Sequence, residues 1–156
     1  MQTRDLEKYV AEHPFFAGLK SDYVKLISGC AQNAAFNKGE HLFREGDPAN
    51  QFFLIRFGRI AIDIPVPHGG AITVQTLEPG DIVGWSWLFP PFAWTFDARA
   101  LELTRVIAMD GACLRGKCDA DTALGYDLVR RFSAVIAERL QATRLQLLDV
   151  YGTVKG

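Results

Sequence analysis

The sequence lacks an uninterrupted apolar segment long enough to cross a lipid bilayer, which takes about 20 residues. The longest apolar stretch, around Val83–Trp94, is broken by Ser86, Pro90 and Pro91. The amino-terminal residues Met1–Glu12 alternate in charge and lack the apolar core of a secretory signal. We therefore expect a cytoplasmic protein that is not inserted in a membrane.

The sequence also lacks an excess of charge of either sign. Its 17 basic and 18 acidic residues give a net charge of −1, and no long basic run is present. Attraction to nucleic acid or to an acidic membrane requires clustered positive charge. The chain ends at Gly156, soon after Tyr151 and Gly152, which leaves too little length for a DNA-recognition helix. Neither DNA nor a membrane is therefore an expected partner.

Cysteine is scarce, with only Cys30, Cys113 and Cys118. An odd number of cysteines without a secretory signal favours reduced thiols. Cys113 and Cys118 are close enough in sequence to suggest a redox pair or part of a metal site. Zinc sites usually take four ligands, however, and no histidine cluster accompanies these cysteines. We expect no metal and no cofactor.

No catalytic constellation is visible. The histidines His13, His41 and His68 are scattered, and none lies near Ser86 in sequence to act as its base. His68 lies in a turn rich in proline and glycine, where a solvated side chain is the simplest interpretation. The sequence therefore predicts a protein that is not an enzyme.

Apolar periodicity divides the chain into three regions, which we expect to form one domain over residues 1–156. Residues 1–33 have a helical period, with a first helix over Arg4–Glu12 and Ser21 and Asp22 as caps of a second. Residues 34–110 contain short apolar segments separated by turn residues. Residues 111–152 return to a helical period and include one long helix. The predicted fold is mainly β with flanking helices.

The central region predicts an antiparallel β-roll, or jelly roll, because many short strands follow one another at regular turn spacing. The two-residue alternation of side chains is clearest at residues 60–64, where Ile60, Ile62 and Ile64 alternate with Ala61 and Asp63. The predicted strands are His41–Arg44, Phe52–Phe57, Arg59–Val66, Ile72–Leu77, Trp94–Leu101 and Leu103–Met109.

The long carboxy-terminal helix carries an apolar stripe. A helix of about 30 residues is roughly 45 Å long, more than one small roll covers. The simplest cover for the remainder is the same helix of a second copy, which predicts a homodimer. The alternatives are a helix folded back on its own domain and a helix that pairs with another protein. The residues expected at the dimer interface are Leu128, Phe132, Ile136, Leu140 and Leu147.

The order of these elements, together with four motifs, resembles the cyclic nucleotide-binding domain, which is the effector half of Crp/Fnr-type transcription regulators. The motifs are GE before HLFREGD at 39–47, FLI before GR at 53–59, LEPGDIVG at 77–84, and ERLQAT at 138–143 with LDVYG at 148–152. The resemblance covers about residues 13–152. It implies tight turns at Gly46, Gly58, Gly80 and Gly84, where positive φ favours glycine.

The resemblance fails where the family binds its ligand. After the glycine equivalent to Gly84, the family has a glutamate for the ribose hydroxyl, and here the residue is Trp85. The place of the arginine that neutralises the cyclic phosphate is taken by Trp94. Arg99 is an odd number of strand positions away and should face the other side of the sheet. Binding of cyclic AMP or cyclic GMP in the usual mode is therefore not expected.

Two outcomes are open for this degenerate cassette. The aromatic residues either fill the pocket themselves, or they form part of a site for an altered ligand such as a carboxylate, with charge supplied by Arg139 and Arg144. The candidate ligand-binding residues are Gly84, Trp85, Ser86, Trp87, Trp94, Thr95, Arg139 and Thr143.

Two functions follow from these expectations. The first is a regulatory domain that senses an altered ligand, or none, and signals through its long carboxy-terminal helix. The second is a structural or adaptor subunit that docks onto a larger protein complex through this helix or through the aromatic segment Trp87–Trp94. Within that segment, the sequence Phe89-Pro90-Pro91-Phe92 is both apolar and turn-forming, which is typical of an interface if it is exposed.

Overall fold

The computed structural model describes residues 3–155, with the side chains of residues 5–145 and of Leu148. The amino-terminal region contains α1 (Thr3–Glu12), a short 3-10 helix (Pro14–Phe16) and α2 (Ser21–Ser28). Ser21 and Asp22 were expected as caps of α2, but they lie in its first turn. Lys20 is the N-cap residue and makes no side-chain capping bond.

The central region is an antiparallel β-roll, as predicted. Its eight strands form two four-stranded sheets, with the orders β1-β8-β3-β6 and β2-β7-β4-β5. The strands are β1 (Ala31–Phe36), β2 (His41–Phe43), β3 (Gln51–Phe57), β4 (Ile60–Pro65), β5 (Ala71–Leu77), β6 (Ile82–Val83), β7 (Asp97–Ala100) and β8 (Thr104–Asp110).

The strand predictions were wrong at β1 and at the two ends of the cassette. β1 was not predicted, and it begins at Ala31, within the region expected to be helical. β6 was not predicted, because two residues are too short to show alternation, and it is defined by pairing with β3. β7 begins at Asp97 rather than at Trp94. Trp94 instead lies in the loop that precedes β7, bonded to the turn after β2.

The carboxy-terminal region contains α3 (Gly111–Ala120) and the 34-residue α4 (Thr122–Lys155). Asp121 separates them, and its carboxylate accepts hydrogen bonds from the backbone N–H groups of Ala123 and Leu124. These bonds satisfy backbone N–H groups of the first turn of α4, which have no acceptor within the helix itself. Within residues 3–155, no helix is both long and apolar enough to cross a membrane.

The buried apolar residues form two clusters. The first joins the helices to the outer side of the β1-β8-β3-β6 sheet and includes Ile27, Phe52, Trp87 and Phe132. The second fills the interior of the roll between the two sheets. Because successive strand residues face opposite sides, β3 contributes Phe52 and Leu54 to the first cluster and Phe53 and Ile55 to the second.

The first half of α4 packs on its own domain. Leu128 and Phe132 are completely buried in the helix cluster, which corrects the expectation that they lie at a dimer interface. The guanidinium of Arg131 fixes the same half, since its Nη1 donates to the backbone oxygens of Phe15 and Ala17 at 2.7 and 2.9 Å.

The described side chains in the second half of α4 are largely exposed, with Leu140, Leu145 and Leu148 at 60%, 56% and 66% exposure. Ile136, at the boundary between the two halves, is half-buried. The side chain of Leu147 lies outside the described residues. The dimer prediction therefore applies to this second half of the helix alone.

The cysteine prediction was also wrong for two of the three residues. Cys30 and Cys113 form a disulfide across a sequence separation of 83 residues, whereas Cys118 is free. Cys30 follows α2 and Cys113 lies in the first turn of α3, and the backbone N–H of Asp110 donates to the carbonyl of Cys30 at 2.8 Å. An odd count of thiols leaves one free but does not prevent two others from meeting in the fold.

Candidate functional site

The cassette begins at Gly84, directly after β6, and its shape is set by Trp94. Two backbone hydrogen bonds hold Trp94 on the turn that follows β2, from Trp94 N–H to the Asp47 carbonyl at 2.9 Å and from Gly46 N–H to the Trp94 carbonyl at 2.8 Å. Its indole lies parallel to the ring of Phe43, with 3.7 Å between ring centroids. Trp94 is thereby fixed inside the roll, where it is 4% exposed.

The indole of Trp94 also lies against the backbone of Gly84. A Cβ placed at Gly84 would come within 2.4 Å of Cη2 of Trp94, and the φ of Gly84 is 95°. Both the close approach and the positive φ require glycine here. The space next to the first residue of the cassette is therefore occupied by an aromatic ring.

Trp85, Ser86 and Trp87 follow Gly84 in a hydrogen-bonded turn, in which the N–H of Leu88 donates to the carbonyl of Trp85 at 3.0 Å. This turn does not continue into a helix. The three side chains have different surroundings. Trp85 is half-buried, Ser86 is 9% exposed, and Trp87 is completely buried against Phe52 in the helix cluster.

A cavity of about 290 Å³ lies between the roll and α4. Four of the predicted site residues, Trp85, Thr95, Arg139 and Thr143, line this cavity, whereas Gly84, Ser86, Trp87 and Trp94 do not. The lining residues that sequence reasoning did not assign to a ligand come from β4, β5, the loop before β7, and α4. The complete lining is Ile62, Val74, Gln75, Trp85, Thr95, Phe96, Ile136, Arg139, Leu140 and Thr143.

Arg139 is the one basic residue in this lining. Its Nη2 donates to the carbonyl of Ile82 in β6, and its Cζ lies 5.3 Å from the ring centroid of Trp85. Burial lowers the pKa of Arg139 to about 10, although the nearby charges of Asp81 and Glu138 partly oppose this effect. The guanidinium is therefore still charged at neutral pH. Arg144, the other expected source of charge, is exposed and does not line the cavity.

Arg139 also lines a second cavity, of about 220 Å³, on the side of the amino-terminal segment. Pro14, Gly80 and Asp81 contribute to its wall. The two cavities share only Gln75 and Arg139, so these side chains separate them.

Arg99 does not line the cavity at Trp85. It points away from the interior of the roll, where its Nε donates to Oδ2 of Asp63 at 2.9 Å. Thr73 donates to the other oxygen of Asp63 at 2.6 Å. As the alternation of β7 predicts, Ala98 and Ala100 face the core instead. Arg99 therefore takes no part in this candidate site.

Comparisons with known proteins agree with this architecture. The model of a family described as "Cyclic nucleotide-binding domain" matches residues 34–121. The chain is 25% identical over 148 residues to a CRP-like cAMP-activated global transcriptional regulator of Mycobacterium tuberculosis, an alignment that covers 95% of this chain and 64% of that protein. The chain thus spans less than two thirds of that relative.

Two solved structures have the same fold. The catabolite activator protein of Thermus thermophilus superposes with a TM-score of 0.70 at 24% identity, over 88% of this chain and 63% of that one. A cyclic nucleotide-binding domain of Methylobacillus flagellatus superposes with a TM-score of 0.76 at 18% identity, over 93% of this chain and 80% of that one.

Proposed function

Since the chain belongs to the cyclic nucleotide-binding domain family, we propose that it is a non-enzymatic regulatory domain whose cassette does not hold a cyclic nucleotide in the usual mode. The position of Trp94 carries this proposal, because its indole occupies the space against Gly84. The family's glutamate and arginine are replaced by Trp85 and Trp94. Neither the ribose hydroxyl nor the phosphate of a cyclic nucleotide would find its usual partner.

The proposed route of the signal is the contact between the cassette and α4. Arg139 on α4 donates to Ile82 just before the cassette and lies over the ring of Trp85 within it. A ligand that moves Trp85 would therefore change the surface on which Arg139 rests. Such a ligand moves α4 from one position to another only if it binds the domain more tightly when the helix is in the second position.

Isothermal titration calorimetry with cyclic AMP and cyclic GMP tests the proposal. We expect dissociation constants weaker than about 1 mM, because in the usual mode the phosphate would lie against the indole of Trp94 instead of an arginine. This loss costs several kcal/mol, and each 1.4 kcal/mol is about a factor of ten. The variant Trp85→Glu/Trp94→Arg should gain affinity, and Trp85→Phe/Trp94→Phe is the matched control without the charges. Micromolar binding of either nucleotide to the unmodified chain would overturn the proposal.

An adaptor role is the second candidate function, and the exposure of the cassette loop favours it. Phe89 is 42% exposed, and the prolines that follow it are also exposed. Phe92 is partly buried under Arg115, whose Cζ lies 4.6 Å from the ring centroid. If this loop docks onto a larger complex, Phe89→Ser should abolish the association without changing the free energy of unfolding.

The proposal includes a homodimer through the second half of α4, and it assigns no role to DNA or to a membrane, since the net charge of −1 attracts neither. It also includes a cytoplasmic location, which the similarity to a CRP-like transcriptional regulator supports.

A further inference from the structure

The cavity at Trp85 has walls of an unusual composition for a nucleotide site. Most of its lining is aliphatic or aromatic, and the polar side chains other than Arg139 are one amide and two hydroxyls. Of these hydroxyls, that of Thr143 already donates to the backbone oxygen of Arg139 at 2.9 Å. No acidic side chain lines the cavity. A sugar would therefore leave several hydroxyl groups without partners, at a cost in free energy for each.

Arg139 supplies a charge that makes no salt bridge among the described side chains, although the charges of Asp81 and Glu138 lie near it. Among the described side chains, no carboxylate lies within 4 Å of its guanidinium, whose hydrogen bond is to the neutral carbonyl of Ile82. A guanidinium has five N–H donors in a planar fork that matches the two oxygens of a carboxylate. An anionic group of a ligand is the natural partner of the remaining donors.

The wall beside Arg139 suits a flat apolar group. The rings of Trp85 and Phe96 meet edge to face, with 6.2 Å between centroids, and Ile62 and Val74 add aliphatic surface. Aromatic groups pack favourably on such rings in offset or edge-to-face geometry. The cavity volume of about 290 Å³ is near the lower end of small-molecule sites, roughly 300 to 1,000 Å³, which limits the ligand to one or two rings.

We propose that this cavity binds an aromatic monocarboxylate, with the carboxylate on Arg139 and the ring packed against the surface that Trp85 and Phe96 form together. The inference rests on the proposed function, because it names the ligand class of the same regulatory domain. One cation compensates one negative charge, which favours a monocarboxylate over a phosphate dianion. Since Arg139 belongs to α4, the bound carboxylate would connect the cassette directly to the helix.

The test uses indole-3-acetate and phenylacetate as probes, with their uncharged amides, hexanoate and cyclic AMP as comparisons, in titration calorimetry on the full chain. We expect the aromatic acids to bind more tightly than their amides and than hexanoate. Arg139→Gln should weaken the acids about 10- to 100-fold and leave the amides nearly unchanged, because it removes a charge-assisted hydrogen bond. Arg144→Gln is the matched control, since Arg144 is exposed on the same helix.

Several results would overturn the inference. The first two are that neither aromatic acid binds, or that acid and amide bind with equal affinity. The other two are that hexanoate binds more tightly than the aromatic acids, or that Arg139→Gln still prefers the acids to the amides. The amide titrations also report whether Arg139→Gln keeps a folded cavity, and Trp85→Ala, which should weaken acids and amides alike, provides an independent variant. If neither aromatic acid binds, this inference fails but the proposed function still stands. Micromolar binding of cyclic AMP would instead overturn the proposed function.

Discussion

The indole of Trp94 lies on the backbone of Gly84, with its Cη2 2.4 Å from the position that a Cβ at Gly84 would take. Trp94, which we propose replaces a ligand-binding side chain, and Gly84, which starts the cassette, therefore depend on each other. A larger residue at Gly84 would have to displace the ring, and the ring has no free space because it is stacked on Phe43.

We predict that Gly84→Ala lowers the free energy of unfolding by about 2–4 kcal/mol, because it combines positive-φ strain with overpacking. Urea denaturation provides the measurement. Gly69→Ala is the matched control, since Gly69 has a φ of 92° but nothing within 4 Å of its Cβ position. Equal losses in the two variants would show that the contact with Trp94 adds nothing to the backbone strain.

The Cys30–Cys113 disulfide is predicted to stabilise the fold. It closes a loop with a sequence separation of 83 residues, and loops of this size correspond to about 2–5 kcal/mol in free energy of unfolding. Urea denaturation with and without dithiothreitol should show this difference for the unmodified chain and for Cys118→Ser. The variant Cys30→Ser/Cys113→Ser should not respond to reductant, and an unmodified chain that does not respond either would contradict the pairing.

Asp63 is predicted to make stability depend on pH in the acid range. Burial would raise the pKa of Asp63, but hydrogen bonds from Thr73 and Arg99 and the charge of Arg99 outweigh burial and hold this pKa below its ordinary value. A carboxylate with a lowered pKa in the folded state stabilises the protein above its unfolded pKa, near 4, and this contribution is lost as the pH falls through the folded value.

The variant Asp63→Asn should therefore unfold more easily at pH 7 and should lose less stability than the unmodified chain as the pH is lowered from about 4. Chemical denaturation across this pH range gives both quantities. Asp119→Asn, at an exposed position on α3, is the control. A parallel pH dependence in Asp63→Asn and the unmodified chain would contradict the assignment to Asp63.

The exposed leucines of α4 are predicted to hold a homodimer together. Leu140, which is 60% exposed, and Leu147 lie seven residues apart on the stripe expected at the dimer interface. Leu140→Glu/Leu147→Glu should convert a dimer into a monomer in sedimentation equilibrium, whereas Ile72→Glu, at a 58% exposed apolar position on β5, should not. A dimer that survives the double variant would place the interface elsewhere, and an unmodified chain that sediments as a monomer would contradict the dimer itself.

Most of the fold was predictable because it depends on local signals. Turn glycines and two-residue alternation predicted the roll, and Gly46, Gly58, Gly80 and Gly84 all have positive φ as expected. The disulfide was not predictable, because Cys30 and Cys113 come close only when β1 pairs with β8 and Ala31 lies opposite Met109. The stripe on α4 shows the same limit, since periodicity identifies an apolar face but not what covers it, and Phe132 and Leu140 have opposite surroundings.

The candidate site was predicted only in part. Trp85 and Arg139 were found through motifs, and both line the cavity. Val74 and Gln75 were missed, because only the register of β5 against β4, which pairs Gln75 with Ile62, places them opposite α4. The assignment of Trp94 as a replacement stays a prediction, and its orientation depends on the stacking with Phe43 and not on any feature of its own segment.

The hydrogen bonds from Arg131 to the backbone oxygens of Phe15 and Ala17 anchor α4 at one point along its length. Since this point is held and Leu128 and Phe132 in the first half of the helix are buried, a tilt of α4 about Arg131 would break fewer contacts than a slide along its axis. The arm from Arg131 to Lys155 is roughly 36 Å long at the standard helical rise, so a tilt of about 5° would carry its tip about 3 Å. Arg139 lies close to Arg131 on this part of the helix. A small displacement of Arg139 at the cavity would therefore correspond to a larger displacement at the far end of α4.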